Sequence, residues 1–159
     1  MAAHDLTAVN LLETQLAGLD LSEDFTVIRA HRPEFSPKEL SFEPLVVVAP
    51  GGRAKRPIGK NHTIRAATVF VGILSLLPHG AGFSDSEKSD LTRLEELLNF
   101  VEELETWLLP DTGRGVVISG PQGSFQLVGE VNTNPTYDPD KIEQGQFISV
   151  IEANFEGIS

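Results

Sequence analysis

The fold is decided by the stretch PLVVVAPGGRAKRPIGKNHTIRAATVFVGILSLL, which runs from Pro44 to Leu77. An apolar run at 45–49 breaks at a Pro-Gly-Gly sequence, and a basic segment without any acidic residue leads into a second apolar run at 64–77. Apolar and β-branched runs on both sides of a polar tract that is broken by Gly and Pro predict two strands joined by a long connection. We expect these strands to form the centre of a sheet, and the tract at 50–63 to project from it as a hairpin arm.

The remaining chain predicts two helices and four further strands around this centre. Apolar residues recur with the helical period at 5–18 and at 86–109. Short runs of strand-forming residues predict the other strands, at Phe25–Ala30, Val116–Ile118, Phe125–Val128 and Gln146–Phe155. We therefore expect an α/β chain of the α+β kind that forms a single domain over residues 1–159. Its sheet would be mainly antiparallel with four to six strands, two helices packed on one face and a long basic hairpin arm.

The charge is divided unevenly along the chain. The formal net charge is −11, but residues 44–84 carry five basic and no acidic side chains, a charge of +5. The rest carries seven basic and all 23 acidic side chains, a charge of −16. Such a separation predicts head-to-tail contact between copies, with the basic arm of one copy against an acidic face of another. It argues against a general nucleic-acid binder, whose domain would be basic as a whole.

Two groups of charged side chains are therefore candidates for contacts with other subunits. The basic group lies in and just after the arm: Arg53, Lys55, Arg56, Lys60 and Arg65. The acidic group lies on the second helix, opposite its apolar stripe: Glu95, Glu96, Glu102, Glu103 and Glu105. A face of this kind is more often a solvated helix surface than a metal or acid–base cluster.

No pattern in the chain indicates catalysis or a membrane span. There is no cysteine, and the four histidines stand in four separate segments, where we expect surface or loop positions. Nucleophile-elbow and dinucleotide-binding motifs are absent from the sequence. Asp138 and Asp140 could ligate a cation, but a turn-capping role is favoured. The longest apolar run, 66–78, is too short to cross a bilayer, and we expect no enzyme activity, no cofactor, no metal and no membrane partner.

The glycines and the lysine of the arm invite comparison with a phosphate-binding loop. The comparison fails because the spacing from Gly52 to Lys60 is too long and Asn61 stands where a Ser or Thr would bind magnesium. Pro57 also removes a backbone amide that such a cradle needs. A small ligand-binding α/β domain that uses the Gly51–Lys60 loop for an anion stays open as an alternative function.

The order of features over roughly residues 5–156 is distinctive. An amphipathic helix precedes a strand that ends in Arg29-Ala-His-Arg-Pro, and Leu45-Val-Val-Val-Ala-Pro leads into the polar arm and a long strand. A late helix rich in Leu and Glu precedes Pro135-Thr-Tyr-Asp, and the chain closes on Gln146-Phe-Ile-Ser-Val-Ile. This order resembles the tail terminator, or tail completion, proteins of long-tailed bacteriophages, a family of minor tail proteins.

The resemblance implies a structural virion protein with no enzymatic activity. It would form a hexameric ring that caps the tail tube, ends tube polymerisation and joins the tail to the neck or head connector during virus assembly. Its partners would be copies of itself, the tail tube protein and a neck or connector protein, with genomic DNA only passing through the lumen. It would be made in the host cytoplasm and reside in the virion at the head–tail junction. A tail tube subunit and a neck adaptor subunit are the neighbouring alternatives.

Overall fold

The computed structural model describes residues 3–32, 40–77, 84–134 and 145–158, with the backbone alone at 84–90 and 158. The elements in chain order are α1 (His4–Ala17), β1 (Thr26–Arg29), β2 (Leu45–Ile58), β3 (His62–Leu76), α2 (Ser84–Leu108), β4 (Val117–Gly120), β5 (Gly123–Leu127), β6 (Asn132–Thr133) and β7 (Gln146–Ile158). The chain is thus of the α+β kind and mostly sheet, as the sequence predicts.

The strands form one seven-stranded sheet in the order β1-β2-β3-β7-β5-β4, with β6 paired to β7. Two details differ from the prediction. The sheet is mixed, because β1 runs parallel to β2, while the other pairs are antiparallel. Residues 30–44 separate these two strands, and a parallel return needs a connection of roughly a dozen residues or more. The unpredicted seventh strand, β6, has only two residues, too few for any periodic pattern.

Helices α1 and α2 pack on the same face of the sheet, which we call the helix face. Alternation along each strand decides which side chains reach it, since successive residues point to opposite faces. In β2, Val46 and Val48 join the helix-face core, and Val47 points the other way. In β7 the helix face is formed by Phe147, Ile151, Ala153 and Phe155, all at odd-numbered positions.

The opposite face carries a second, smaller apolar cluster. Here Leu40 closes over Val47, Leu74 and Ile148. The segment around Leu40 is held by hydrogen bonds to the end of β3, where the Leu76 amide donates to the Ser41 carbonyl over 2.8 Å. The central strands are therefore buried on both sides at this end of the sheet, although no described helix covers the second face.

The sheet curls around α1. This helix contacts β1 and β2 at one edge of the sheet and also β4 at the other. The approach to β4 is close, because a Cβ atom added to Gly120 would lie 2.7 Å from Leu11 Cδ2. No helix among the described residues is both long and apolar enough to cross a membrane.

Candidate interaction site: the arm and helix α2

The predicted arm, residues 50–63, continues the two central strands rather than forming a loop between them. The β2–β3 ladder extends from Gly52 opposite Thr68 to Ile58 opposite His62, and a turn at 59–61 connects the strands. Gly59 takes a φ of +73° in this turn, a conformation that glycine adopts without strain. Every residue from Gly51 to His62 is exposed. The arm is thus a two-stranded ribbon whose side chains are accessible on both faces.

A β-bulge at Gly51 decides which basic side chains face the helices. The register shifts by one residue between Pro50 and Gly52. A larger residue at position 51 would collide with the next strand, since an added Cβ would lie 2.7 Å from Phe70 Cε2. Because of the extra residue, the odd-numbered side chains Arg53 and Lys55 point to the helix face, as their partners across the ladder show.

Two of the five basic candidates are held within the chain. Arg53 Nη1 lies 3.4 Å from Asp5 Oδ1 in α1, and Arg56 Nη1 lies 3.0 Å from Glu156 Oε1 in β7. Both arginine side chains are more than half exposed, so each pair contributes little to folding stability. Arg65 sits opposite Lys55, and its Nε atom is buried without a hydrogen-bond partner among the described residues.

The other two basic candidates, Lys55 and Lys60, are exposed. Within the part of the chain that the structure describes, neither forms an ion pair. Lys60 lies in the turn at the far end of the arm. Of the five basic candidates, these two ammonium groups are the ones that the described chain leaves available for another molecule.

His4 is a structural residue that the sequence analysis missed. The prediction that all four histidines lie in surface or loop positions is wrong for this one, since His4 is 6% exposed at the start of α1. Its Nε2 donates to the Ala66 carbonyl of β3 over 2.9 Å. His31 and His62 are exposed, and His79 lies outside the described residues. The bond ties the first turn of α1 to the base of the arm.

The acidic group on α2 is less open than the helical pattern suggests. Glu103 accepts hydrogen bonds from the Ser22 amide and hydroxyl, and Glu105 accepts one from Thr133 Oγ1 over 3.0 Å. Glu96 pairs with an arginine of the same helix. Only Glu95 and Glu102 of the five are exposed and without a partner among the described residues.

Arg93 connects α2 to two distant parts of the chain, and the sequence did not single out this residue. Its Nη1 binds Glu23 and lies 2.8 Å from Glu96 Oε2, and its Nη2 donates to the Phe42 carbonyl over 3.0 Å. Burial lowers the pKa of Arg93, but the hydrogen bonds and charges of Glu96 and Glu23 raise that pKa above its ordinary value. The i, i+3 spacing to Glu96 is visible in the sequence, whereas the two distant partners are not.

A groove beside α2 combines apolar and acidic groups. It is lined by Leu21, Asn99, Glu102, Glu103, Thr106 and Trp107, and we call it the Trp107 groove. Trp107, the only tryptophan of the chain, is half-buried against the helix-face core. An aromatic surface flanked by carboxylates is suited to a cationic side chain with an aliphatic stem.

The structure does not bring the basic and acidic groups together within one chain. The first turn of α1 contacts the base of the arm through His4, and the groove residue Leu21 follows the other end of this helix. A helix of 14 residues spans about 21 Å, so the base of the arm and the Trp107 groove lie at opposite ends of α1. The ion pairs of the two charged groups run instead to Asp5, Glu156 and Arg93.

The segment from Gly51 to Lys60 does not have the geometry of a phosphate cradle. It forms strand β2 and the hairpin turn, and the next element is strand β3 rather than a helix. Among the described residues no cluster of three or more His, Asp or Glu side chains is arranged to hold a metal ion. Asp138 and Asp140 lie outside the described residues.

Comparison with known proteins adds little to this description. No protein-family model matches the chain, and no curated protein does. One solved structure without a descriptive name aligns with 99% of this chain and 96% of its own, at 12% identity and a TM-score of 0.45. A likeness this distant carries no argument, so a function has to be argued from the residues of this chain.

Proposed function

We propose that this chain is a structural assembly protein: a tail terminator that forms a ring on the end of a bacteriophage tail tube. The observation that carries the proposal is the arm, a hydrogen-bonded ribbon in which every residue from Gly51 to His62 is exposed and two lysines have no partner in the described chain. The order of sequence features that resembles tail terminators supplies the kind of assembly.

The physical properties of the arm favour a contact role. A ribbon held by a backbone ladder is more ordered than a free loop, so it loses less conformational entropy when it binds. Its side chains add little to the core, because they are exposed on both faces. A cluster of like charges on an extended element also raises the rate at which an oppositely charged surface is met.

The partners follow from the charge division and from the resemblance. The rest of the chain carries a charge of −16, which makes a second copy a suitable partner for an arm in the +5 segment. A hexameric ring of such copies would meet the tail tube on one side and the neck or connector protein on the other. An acidic surface near the lumen would let genomic DNA pass without adhering. A tail tube subunit or a neck adaptor would use the same surfaces as a terminator, but its assembly would end differently.

The first experiment is native mass spectrometry with negative-stain imaging over a range of protein concentrations, alone and with purified tail tubes. A closed ring of six that does not grow further is the expected result. Open tubes would indicate that this chain is a tail tube subunit and not a terminator. A species that stays monomeric both alone and on tube ends would contradict the proposal.

A charge-reversed variant tests the role of the arm in the same assay. Lys55→Glu combined with Lys60→Glu alters the two lysines of the arm that have no ion pair among the described residues, whereas Arg56 is left in place because it pairs with Glu156. The matched control is Arg32→Glu with Arg114→Glu, two exposed basic residues outside the arm. We expect the arm variant to lose ring formation and tail joining, and the control to retain both. Equal behaviour of the two variants would remove the arm from the mechanism.

A further inference from the structure

We propose that the tip of the arm, Ile58 to Asn61, docks into the Trp107 groove of a second copy of this chain. This inference deepens the proposed function and rests on its self-association. It assigns a specific acceptor site to the arm, built by α2 and the residues that follow α1.

The groove has the chemistry to receive a lysine. Trp107 and Leu21 offer apolar surface to an aliphatic stem, and the exposed carboxylate of Glu102 lies beside them without a partner among the described residues. The neighbouring carboxylate of Glu103 is fixed in position by its bonds to Ser22. An ammonium group over an indole ring and next to a carboxylate gains from both interactions.

The arm tip has the complementary chemistry. Lys60 is exposed in the turn and has no ion pair among the described residues. Ile58 is 37% exposed, an apolar side chain that the fold leaves near the same turn. Residues 44–84 hold no acidic side chain that would repel the carboxylates of the groove. Charge and apolar surface therefore match between tip and groove.

The placement of the two sites makes the contact intermolecular. Ala66, at the base of the arm, contacts His4, the first residue of α1. The groove lies beyond the other end of this helix, because Leu21, which lines it, follows α1. The tip is farther away still, because β2 continues from Ala54, the register partner of Ala66, to Ile58, a further distance of about 13 Å at strand spacing. One arm and one groove at opposite ends of each copy give a head-to-tail contact, which can close into a ring.

Disulfide trapping tests this contact directly, because the natural chain has no cysteine. An Asn61→Cys variant, which keeps Lys60, is mixed with a Thr106→Cys variant under mild oxidation, and the mixed disulfide is followed by mass spectrometry. The control partner is Thr92→Cys, which replaces another exposed threonine on the same helix. It lies 14 residues away from Thr106, or about 21 Å along the helix axis. We expect the Thr106→Cys partner to react roughly tenfold faster or more, as a high effective concentration produces.

A second pair of variants tests the charge. Glu102→Lys, placed in the Thr106→Cys copy, should slow trapping, whereas Glu95→Lys, which alters the other exposed and unpartnered carboxylate of this helix, should leave it unchanged. Equal trapping rates at positions 92 and 106 overturn the proposed contact. So does an unchanged rate with Glu102→Lys. A groove that receives a basic segment of another tail protein would leave Asn61→Cys unreactive in the pure protein, which also overturns it.

The outcome separates this inference from the proposed function. Rings that form without preferential trapping at position 106 contradict the groove contact and leave the ring proposal standing. Preferential trapping without any ring, alone or on tubes, supports the groove contact and contradicts the terminator. Trapping is covalent, so it records a transient contact that native mass spectrometry does not retain.

Discussion

The β2–β3 ribbon has an inner part and an outer part, which are built from the same two strands but differ in the burial of their side chains. In the inner part, Val46 to Ala49 are fully buried, with core on both faces. In the outer part, every residue from Gly51 to His62 is exposed. The backbone ladder runs through both, interrupted only by the bulge at Gly51. The difference therefore lies in the side chains and not in the backbone pairing.

This contrast shows how one strand pair can serve two purposes. The inner part holds the sheet together through apolar burial, which is the main source of folding stability. The outer part inherits its shape from the same ladder, so its side chains are free to be selected for contact with other molecules. Substitutions in the inner part should then change stability, and substitutions in the outer part should change assembly.

Two isoleucines of the ribbon give the largest expected difference. Ile73 is fully buried in β3 and Ile58 is 37% exposed in β2. Ile73→Ala should lower the free energy of unfolding by about 2–5 kcal/mol through lost burial and a cavity. Ile58→Ala should change it by less than about 0.5 kcal/mol, as at most surface sites. Urea unfolding of both variants measures the difference, and equal losses would mean that the outer part also carries the fold.

For the inner part the sequence was sufficient, whereas for the outer part it predicted a projecting hairpin arm but not that β2 itself extends to Ile58. The apolar run at 45–49 identifies a buried strand by composition alone. The residues after it include Gly, Pro and Lys, which are poor strand formers, yet β2 continues to Ile58 because β3 supplies the pairing partner. The local sequence pattern around β2 does not show which strand it will pair with.

Pairing direction and distant contacts were equally inaccessible. The run of strand-forming residues at Phe25–Ala30 identifies a strand but does not tell parallel from antiparallel neighbours, so the parallel pair of β1 with β2 went unpredicted. The two groups of charged residues lie on and just after the arm and on α2. Which of their members are free depends on contacts such as Ser22 with Glu103, which are 81 residues apart.

The bulge that divides the two parts gives the next prediction. Gly51→Ala should cost about 1–3 kcal/mol of unfolding free energy, because the new Cβ would meet Phe70 Cε2 at 2.7 Å. At Gly52 an added Cβ meets nothing within 4 Å, and only the φ of +149° opposes the substitution. Gly52→Ala should also cost about 1–3 kcal/mol, but through backbone strain instead of a clash with Phe70, so its cost should not change when Phe70 is removed.

A double-mutant cycle identifies the cause of the Gly51 effect. Phe70→Ala removes the ring that the new methyl group would meet, so the penalty of Gly51→Ala should shrink in that background. A penalty of the same size with and without the ring would place the strain elsewhere in the bulge.

Ion pairs extend the comparison from the ribbon to the whole molecule. The Arg93 side chain is 17% exposed and binds two carboxylates and a carbonyl, whereas the Arg56 side chain is 59% exposed and binds one carboxylate. Arg93→Met should lower the free energy of unfolding by about 1–2 kcal/mol, since charge-assisted bonds away from solvent are lost. Arg56→Met should cost about 0.5 kcal/mol or less, since exposed pairs contribute little. Thermal unfolding at one salt concentration compares them, and a larger loss for Arg56→Met would contradict this ranking.

The smallest effect on stability is expected at the arm tip, where association between copies is measured as well as folding stability. Lys60→Ala should leave the free energy of unfolding within about 0.5 kcal/mol of the natural chain, because the side chain is exposed and forms no ion pair among the described residues. Association of copies should weaken, and what remains should depend less on salt, since one attraction that salt screens beyond about 8 Å at physiological ionic strength is gone. Sedimentation velocity at low and high salt measures both effects, with Arg114→Ala as the control outside the arm. If Lys60→Ala and Arg114→Ala gave the same salt dependence, the charge at the tip would contribute nothing specific to assembly, and the outer part of the ribbon would act through its backbone edge and apolar side chains instead.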